Sequence, residues 1–281
     1  MRGRVIFDAA NNGFHNMAFD EALMLSAKQD TAVVRFYAFQ PKCLSLGRFQ
    51  DYGKTVNEKF CSENNIDVVR RPTGGRAVLH SFEITYSVVA RANGYDGLKL
   101  KNTVYSNVAD AWAQTLNFIG VPGINIENSG KGGYFKKPSC FSVSSKSEVR
   151  VGNKKITGAA QVVSNDTVLQ HGFLLLNIDK NAMENSVNAE LNADSAVTGV
   201  FDILPKSGLT SDELQRLFIR FLAAGFNAEF VRDYFTDKET RAADSLINWK
   251  YSTENWTKYK FLDNQHIINK ILDASLAPVA Q

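Results

Sequence analysis

Hydrophobic and polar positions along the chain alternate between two periods, and the switches between them divide the sequence into elements. Asn16 to Ala27, N-M-A-F-D-E-A-L-M-L-S-A, is rich in helix formers and puts Phe19, Ala22 and Leu23 at helical spacing, which predicts the first helix. Thr31 to Tyr37 is β-branched and aromatic, with Pro41 marking the turn beyond it, and Val68 to Arg70 starts a short strand that runs into P-T-G-G. A-V-L-H at 77–80 and I-T-Y-S-V-V-A at 84–90 read as two further strands. Asn102 to Phe118 has the length and spacing of a helix stopped by Gly120 and Pro122. The glycine-rich, cationic stretch 128–138 has no period and reads as a mobile loop. Glu148 to Val151, a turn at Gly152 and Asn153, and Lys155 to Val163 form a predicted hairpin, followed by a buried strand at Gly172 to Asn177.

From about Pro205 the pattern turns helical, with capping boxes at Thr210/Glu213 and Thr236/Glu239. Strands and helices do not alternate in the regular βα order of a doubly wound fold. The expectation is therefore an α+β protein: a mixed, largely antiparallel sheet flanked by helices in a catalytic domain over 1–204, and a helical C-terminal extension over 205–281 packed on it.

Composition narrows the function classes. At 44% hydrophobic and 22% charged residues over 281 positions, the chain has ordinary globular usage. A net charge of +3 without a stripe of Lys and Arg among aromatics argues against nucleic-acid binding. No 18-residue apolar run predicts a membrane span, and the first residues lack a signal-peptide core, so a cytoplasmic enzyme is expected. Cys43, Cys61 and Cys140 have neither C-x-x-C nor metal-ligand spacing, so no metal site and no disulfide framework is indicated.

Three segments carry candidate chemistry. In R-R-P-T-G-G-R-A-V-L-H, Gly74 and Gly75 let the backbone approach a ligand while Arg71 and Arg76 flank the bend with charge; the plainer alternative is a turn between two strands. Cys140 follows a segment holding Lys131, Lys136 and Lys137, cations that favour a thiolate, and Lys155 precedes I-T-G-A-A, whose small residues leave room for an acyl chain. Taken alone, Lys155 reads as a solvated surface lysine. His171 precedes a glycine in an apolar strand, where it could orient a carbonyl, move a proton, or be a satisfied core histidine.

These segments, together with N-M-A-F-D-E-A-L and R-F-Y-A-F-Q-P-K-C-L-S-L-G-R-F-Q, G-N-K-K-I-T-G-A-A-Q and L-Q-H-G-F-L-L-L-N, stand in the order found in lipoate-protein ligases and octanoyltransferases. The chain resembles the lipoate and biotin ligase superfamily over residues 16–177, most nearly its cysteine-dependent octanoyltransferases. The resemblance implies a Cys140 acyl-thioester intermediate and a Lys155 that orients the acyl carbonyl. It implies Arg71, Gly74, Gly75, Arg76, Ala77, His80, Gly158, Ala160 and His171 around the acyl group. It also implies an acyl-carrier protein as donor, and a lipoyl domain, such as glycine-cleavage H protein or a dehydrogenase E2, as acceptor. No cofactor is expected, ATP and magnesium entering only if the chain is instead an ATP-dependent lipoate ligase. A non-catalytic acyl- or lipoyl-domain-binding module is the third reading. The sequence departs from the family where Val162 and Val163 replace basic residues and where Ser81 and Phe82 follow the histidine.

Overall fold

A computed structural model describes residues 2–93, 97–126, 148–164, 166–261 and 269–270. The stretch 128–138 read as a mobile loop, and Cys140, lie outside these residues.

Among the described residues, twelve strands form three sheets. The strands are β1 (Arg2–Asn11), β2 (Thr31–Phe39), β3 (Cys43–Leu46), β4 (Asp67–Arg70), β5 (Val78–His80), β6 (Glu83–Arg91), β7 (Ile124–Ile126), β8 (Val149–Val151), β9 (Lys154–Lys155), β10 (Thr157–Ser164), β11 (Thr167–Leu175) and β12 (Glu229–Arg232). The main sheet has the order β10-β11-β6-β2-β1-β12. Its β10–β11, β11–β6 and β6–β2 pairs are antiparallel and its β2–β1 and β1–β12 pairs parallel, so the expected mixed, largely antiparallel sheet is what the chain forms. Two three-stranded sheets, β4-β3-β5 and β7-β8-β9, stand beside it.

The period of two in β2, β6 and β11 sends alternate residues to opposite faces. Val34, Phe36, Tyr86, Val88, Val168 and Leu174 face one side and are buried with Val108, Trp112 and Leu116 of the Gly97–Phe118 helix and Leu214, Phe218 and Leu222 of the Ser211–Phe226 helix. Trp112 and Phe218 stack at 4.1 Å between ring centres. On the other side lies the first helix, Gly13–Ser26, capped by Asn12 and buried along Asn16, Met17, Phe19, Asp20 and Leu23.

Two elements depart from the expected pattern. β1 was not read from the sequence, and the segment beyond 204 is not helical throughout, because β12 adds a parallel edge strand to β1. Both capping boxes beyond Pro205 are formed, at Thr210/Glu213 and Thr236/Glu239. The segment is tied to the rest by ion pairs from Arg4 to Asp233 and Glu239 at 2.6 and 2.7 Å, and from Lys250 to Glu21 at 2.6 Å. No helix among the described residues is long and apolar enough to cross a membrane.

Candidate active site

The site forms where the polar row of the main sheet meets the Gly74–Gly75 loop. Register places Arg35 opposite Ser87, Ser87 opposite His171 and His171 opposite Ala160, so these four line up across four strands on the face that the first helix covers. A cavity opens at the end of this row. Met17, Val78, Phe173, Ala159 and Ala160 give it apolar walls, while Ser45, Arg71, His80, Glu148 and His171 bring polar groups to it. Gly158 also lines it; a Cβ there would sit 2.6 Å from the Phe173 ring and 3.1 Å from Lys155 Cε, so a larger residue would fill the space.

The loop is held from below rather than left open. Gly75 has φ +90°, a backbone state that suits glycine, and its carbonyl lies only 2.0 Å from where a Cβ on Gly47 would be. Arg48 N–H donates to the Thr73 carbonyl at 2.8 Å, joining the two segments. Arg71 then staples the bend. Its guanidinium donates to the carbonyls of Ser45, Gly74 and Arg76 at 2.8, 3.0 and 2.6 Å, to the Ser45 hydroxyl at 3.0 Å and to the Thr73 hydroxyl at 3.1 Å. Arg71, expected from the sequence to flank the bend with charge, thus also maintains the shape of the loop.

Arg70, its neighbour, points the other way. It donates to the carbonyls of Gly47, Arg48, Gln50, Trp256 and Thr257, and burial together with the adjacent Arg71 charge lowers its pKa to about 10. The Trp256 indole N–H returns a bond to the Arg70 carbonyl at 2.7 Å, so the C-terminal helical turn and the site loop share one anchor.

Two carboxylate–imidazole–hydroxyl chains reach the cavity. In one, Asp20 Oδ2 is 3.0 Å from His171 Nδ1, and His171 Nε2 is 2.6 Å from Thr73 Oγ1. In the other, Glu83 Oε1 is 2.6 Å from His80 Nδ1, and His80 Nε2 is 2.8 Å from Ser45 Oγ. Asp20 is fully buried, which favours its neutral form, yet the His171 hydrogen bond and the Arg35 charge outweigh this and hold its pKa below the usual carboxylate value. Burial pushes the His171 pKa down, against the pull of Asp20, so its ring is neutral at pH 7. Arg35 carries the charge balance: it donates to Asp20 at 2.9 Å and to Asp8 at 2.6 Å, and its guanidinium lies 4.0 Å from the centre of the Tyr37 ring.

Lys155 is not a solvated surface lysine. It is buried, and its Nζ donates to Glu148 Oε1 at 2.6 Å, with 1% and 2% of the two side chains exposed. A buried pair of this kind persists only with well-made hydrogen bonds. Glu148 lines the cavity directly.

Of the predicted site residues, the cavity therefore collects Arg71, Gly75, Arg76, His80, Gly158, Ala160 and His171. Gly74 contributes its carbonyl to Arg71 but does not line the cavity, and Ala77 packs instead with Leu44, Val78 and Leu79 in an apolar cluster. Cys43 and Cys61 are buried; burial drives the Cys43 thiol well above its usual pKa and the Cys61 thiol to about 11, so neither is a thiolate at pH 7. Sequence reasoning missed Asp20, Arg35, Ser45, Thr73 and Glu83. The readable signal was a charge at Arg35 within the apolar run V-V-R-F-Y, which needs a buried counter-charge.

Comparison with known proteins completes the picture. The model of the lipoyl protein ligase A/B catalytic domain matches residues 12–223. The chain is 32% identical over 269 residues to octanoyltransferase LipM of Clostridioides difficile (strain 630), covering 91% of this chain and 98% of that one. It is 36% identical over 258 residues to octanoyltransferase LipM of Lysinibacillus sphaericus (strain C3-41), covering 86% and 93%. Among solved structures, lipoate-protein ligase A bound with ATP superposes with TM-score 0.78 at 25% identity over 92% of this chain and 99% of that one. A bi-partite lipoate protein ligase from Thermoplasma acidophilum gives TM-score 0.73 at 25% identity over 92% and 96%. Fold and site thus define an acyltransferase with the lipoate ligase architecture. The chain belongs to the lipoyl protein ligase A/B catalytic domain family.

Proposed function

We propose that the chain transfers an octanoyl group from an octanoyl-acyl-carrier protein to a lysine of a lipoyl domain, through a thioester on Cys140. The observation that carries this reading is the apolar cavity lined by Gly158, Ala159, Ala160 and Phe173, with Glu148 at its wall holding the buried Lys155 behind it, in a chain matched almost end to end by octanoyltransferases. The Cys140 thiolate attacks the donor's thioester carbonyl; the new C–S bond forms as the carrier's thiolate leaves and takes up a proton. The acceptor lysine amine then attacks the Cys140 thioester, a C–N bond forms, and the Cys140 sulfur departs. Amide formation makes this second step the favourable one. Lys155, hydrogen-bonded to Glu148, orients the acyl carbonyl, and backbone N–H groups of the Gly74–Gly75 loop or Gly158 stabilise the oxyanion. The acceptor is a lipoyl domain of the glycine-cleavage H or dehydrogenase E2 kind. The reaction calls for no cofactor, and the location is the cytoplasm.

The likeness to a ligase bound with ATP supplies the rival reading, activation of free lipoate as an adenylate. Mixing the protein with octanoyl-acyl-carrier protein and an apo lipoyl domain, without nucleotide or magnesium, separates the two by the mass of the acceptor. Octanoylated acceptor is expected. Acceptor modified only when ATP, magnesium and free lipoate are supplied overturns the transferase in favour of the ligase.

A further inference from the structure

Arg71 joins the two imidazole chains into one: Asp20–His171–Thr73–Arg71–Ser45–His80–Glu83, each link a hydrogen bond of 2.6 to 3.1 Å. The direction of every proton along it follows from chemistry. A guanidinium only donates, so the Thr73 and Ser45 hydroxyls accept from Arg71. Each hydroxyl has one proton of its own, and the acceptor within reach is an imidazole Nε2. Both rings must then carry their proton on Nδ1, where His171 gives it to Asp20 and His80 to Glu83. We infer that Asp20, His171 and Thr73 are positioning residues that fix the Arg71 guanidinium, and through it the Gly74 and Arg76 carbonyls, so that the glycine loop presents its N–H groups to the reacting carbonyl.

The chain has one stable sense. Protonating His171 would turn Nε2 into a donor facing Thr73, whose oxygen already accepts from Arg71 and whose own proton would then lose its acceptor in a buried site. The groups that set this balance are Asp20 from the first helix, Arg35 of β2 acting on Asp20, Arg71, and His80 across the cavity. None of the three residues need touch substrate. Their effect passes through the loop, so they should alter turnover more than substrate affinity.

The kinetic arm of the test rests on the acyl-transfer reading; the spectroscopic arm does not. Nitrogen-15 NMR of the four histidines in the full chain at pH 7.5, with His171 assigned by comparison with His171→Gln, should show His171 as the neutral Nδ1–H tautomer. Thr73→Val should lower kcat by about tenfold or more with KM changed less than about threefold, while Thr73→Ser restores turnover. An Nε2–H tautomer or an imidazolium at His171 overturns the inference whatever reaction the protein catalyses, and so does a Thr73→Val protein with wild-type kcat. If wild type itself moves no acyl group without ATP, the transferase reading fails while the tautomer result still decides this one.

Discussion

Each strand at the centre of the main sheet serves two different interiors. Toward the Gly97–Phe118 and Ser211–Phe226 helices, β2 and β6 present Val34, Phe36, Tyr86 and Val88, which pack on Trp112 and Phe218 with no charged side chain among them. Toward the first helix the intervening residues of the same strands and of β11 include the apolar Val33, Val89 and Leu169, clustered with Leu23 and Met24, and the buried polar Arg35, Tyr37 and His171, which bond to Asp20. One face is held by area and shape, the other by area and shape together with paired charges and directed protons. The first tolerates change in proportion to volume lost, whereas the second fails when a single partner is removed. Stability and activity should therefore separate according to which face is altered.

The largest expected effect is at the polar end. Lys155→Met removes one member of the buried pair, leaves Glu148 without that cation, and should cost about 3–5 kcal/mol of stability and at least about a hundredfold in transfer rate per folded molecule. Phe218→Ala should cost a similar 3–5 kcal/mol, or about that, by opening a cavity against Trp112 and Tyr86, while the rate per folded molecule stays near wild type. Urea denaturation paired with initial rates checks both; equal losses of rate in the two variants would erase the distinction between the polar site and the apolar face.

A smaller effect is expected at Gly47→Ala, whose methyl would collide with the Gly75 carbonyl. Shifting that loop should cost about 1–3 kcal/mol and lower kcat, because the Arg71 staple moves with it. The smallest concerns pH. His171 has a folded pKa below its unfolded value, so its contribution is fully present above the unfolded pKa of about 6.5 and is lost as pH falls toward the folded value. Asp20, also depressed, adds a second loss below its unfolded value of about 3.8. The unfolding free energy from urea titration should thus decrease from pH 7 to pH 5, by no more than about 1.4 kcal/mol per pH unit for the His171 proton. Half-buried His15, lowered by burial, shifts it in the same direction, so the comparison is made in a His15→Gln background.

The apolar face was legible because its signals are local. Alternation in T-A-V-V-R-F-Y and I-T-Y-S-V-V-A, the spacing of Val104, Val108 and Trp112, and the Thr210/Glu213 capping box each lie within a few residues. β1 and β12 were not legible: R-G-R-V-I-F-D-A-A-N mixes charges into its run, and E-F-V-R is four residues long and mostly exposed, a strand only because β1 offers it an edge. The polar face was legible in part. Lys155, Arg71, His80 and His171 stood out by type and by the motifs around them, but their partners lie far along the chain. Asp20 is 151 residues from His171, and Thr73 is 98. Nothing in N-M-A-F-D-E-A-L separates a buried carboxylate from a surface one until the helix is laid on the sheet.

The claim that this polar face serves covalent acyl transfer is tested most directly by intact-protein mass spectrometry. Wild type and Cys140→Ser are each incubated with octanoyl-acyl-carrier protein in the absence of ATP. The account predicts an octanoyl adduct on wild type alone, released by hydroxylamine and discharged by an apo lipoyl domain. No adduct on wild type, or an equal one on Cys140→Ser, would contradict it.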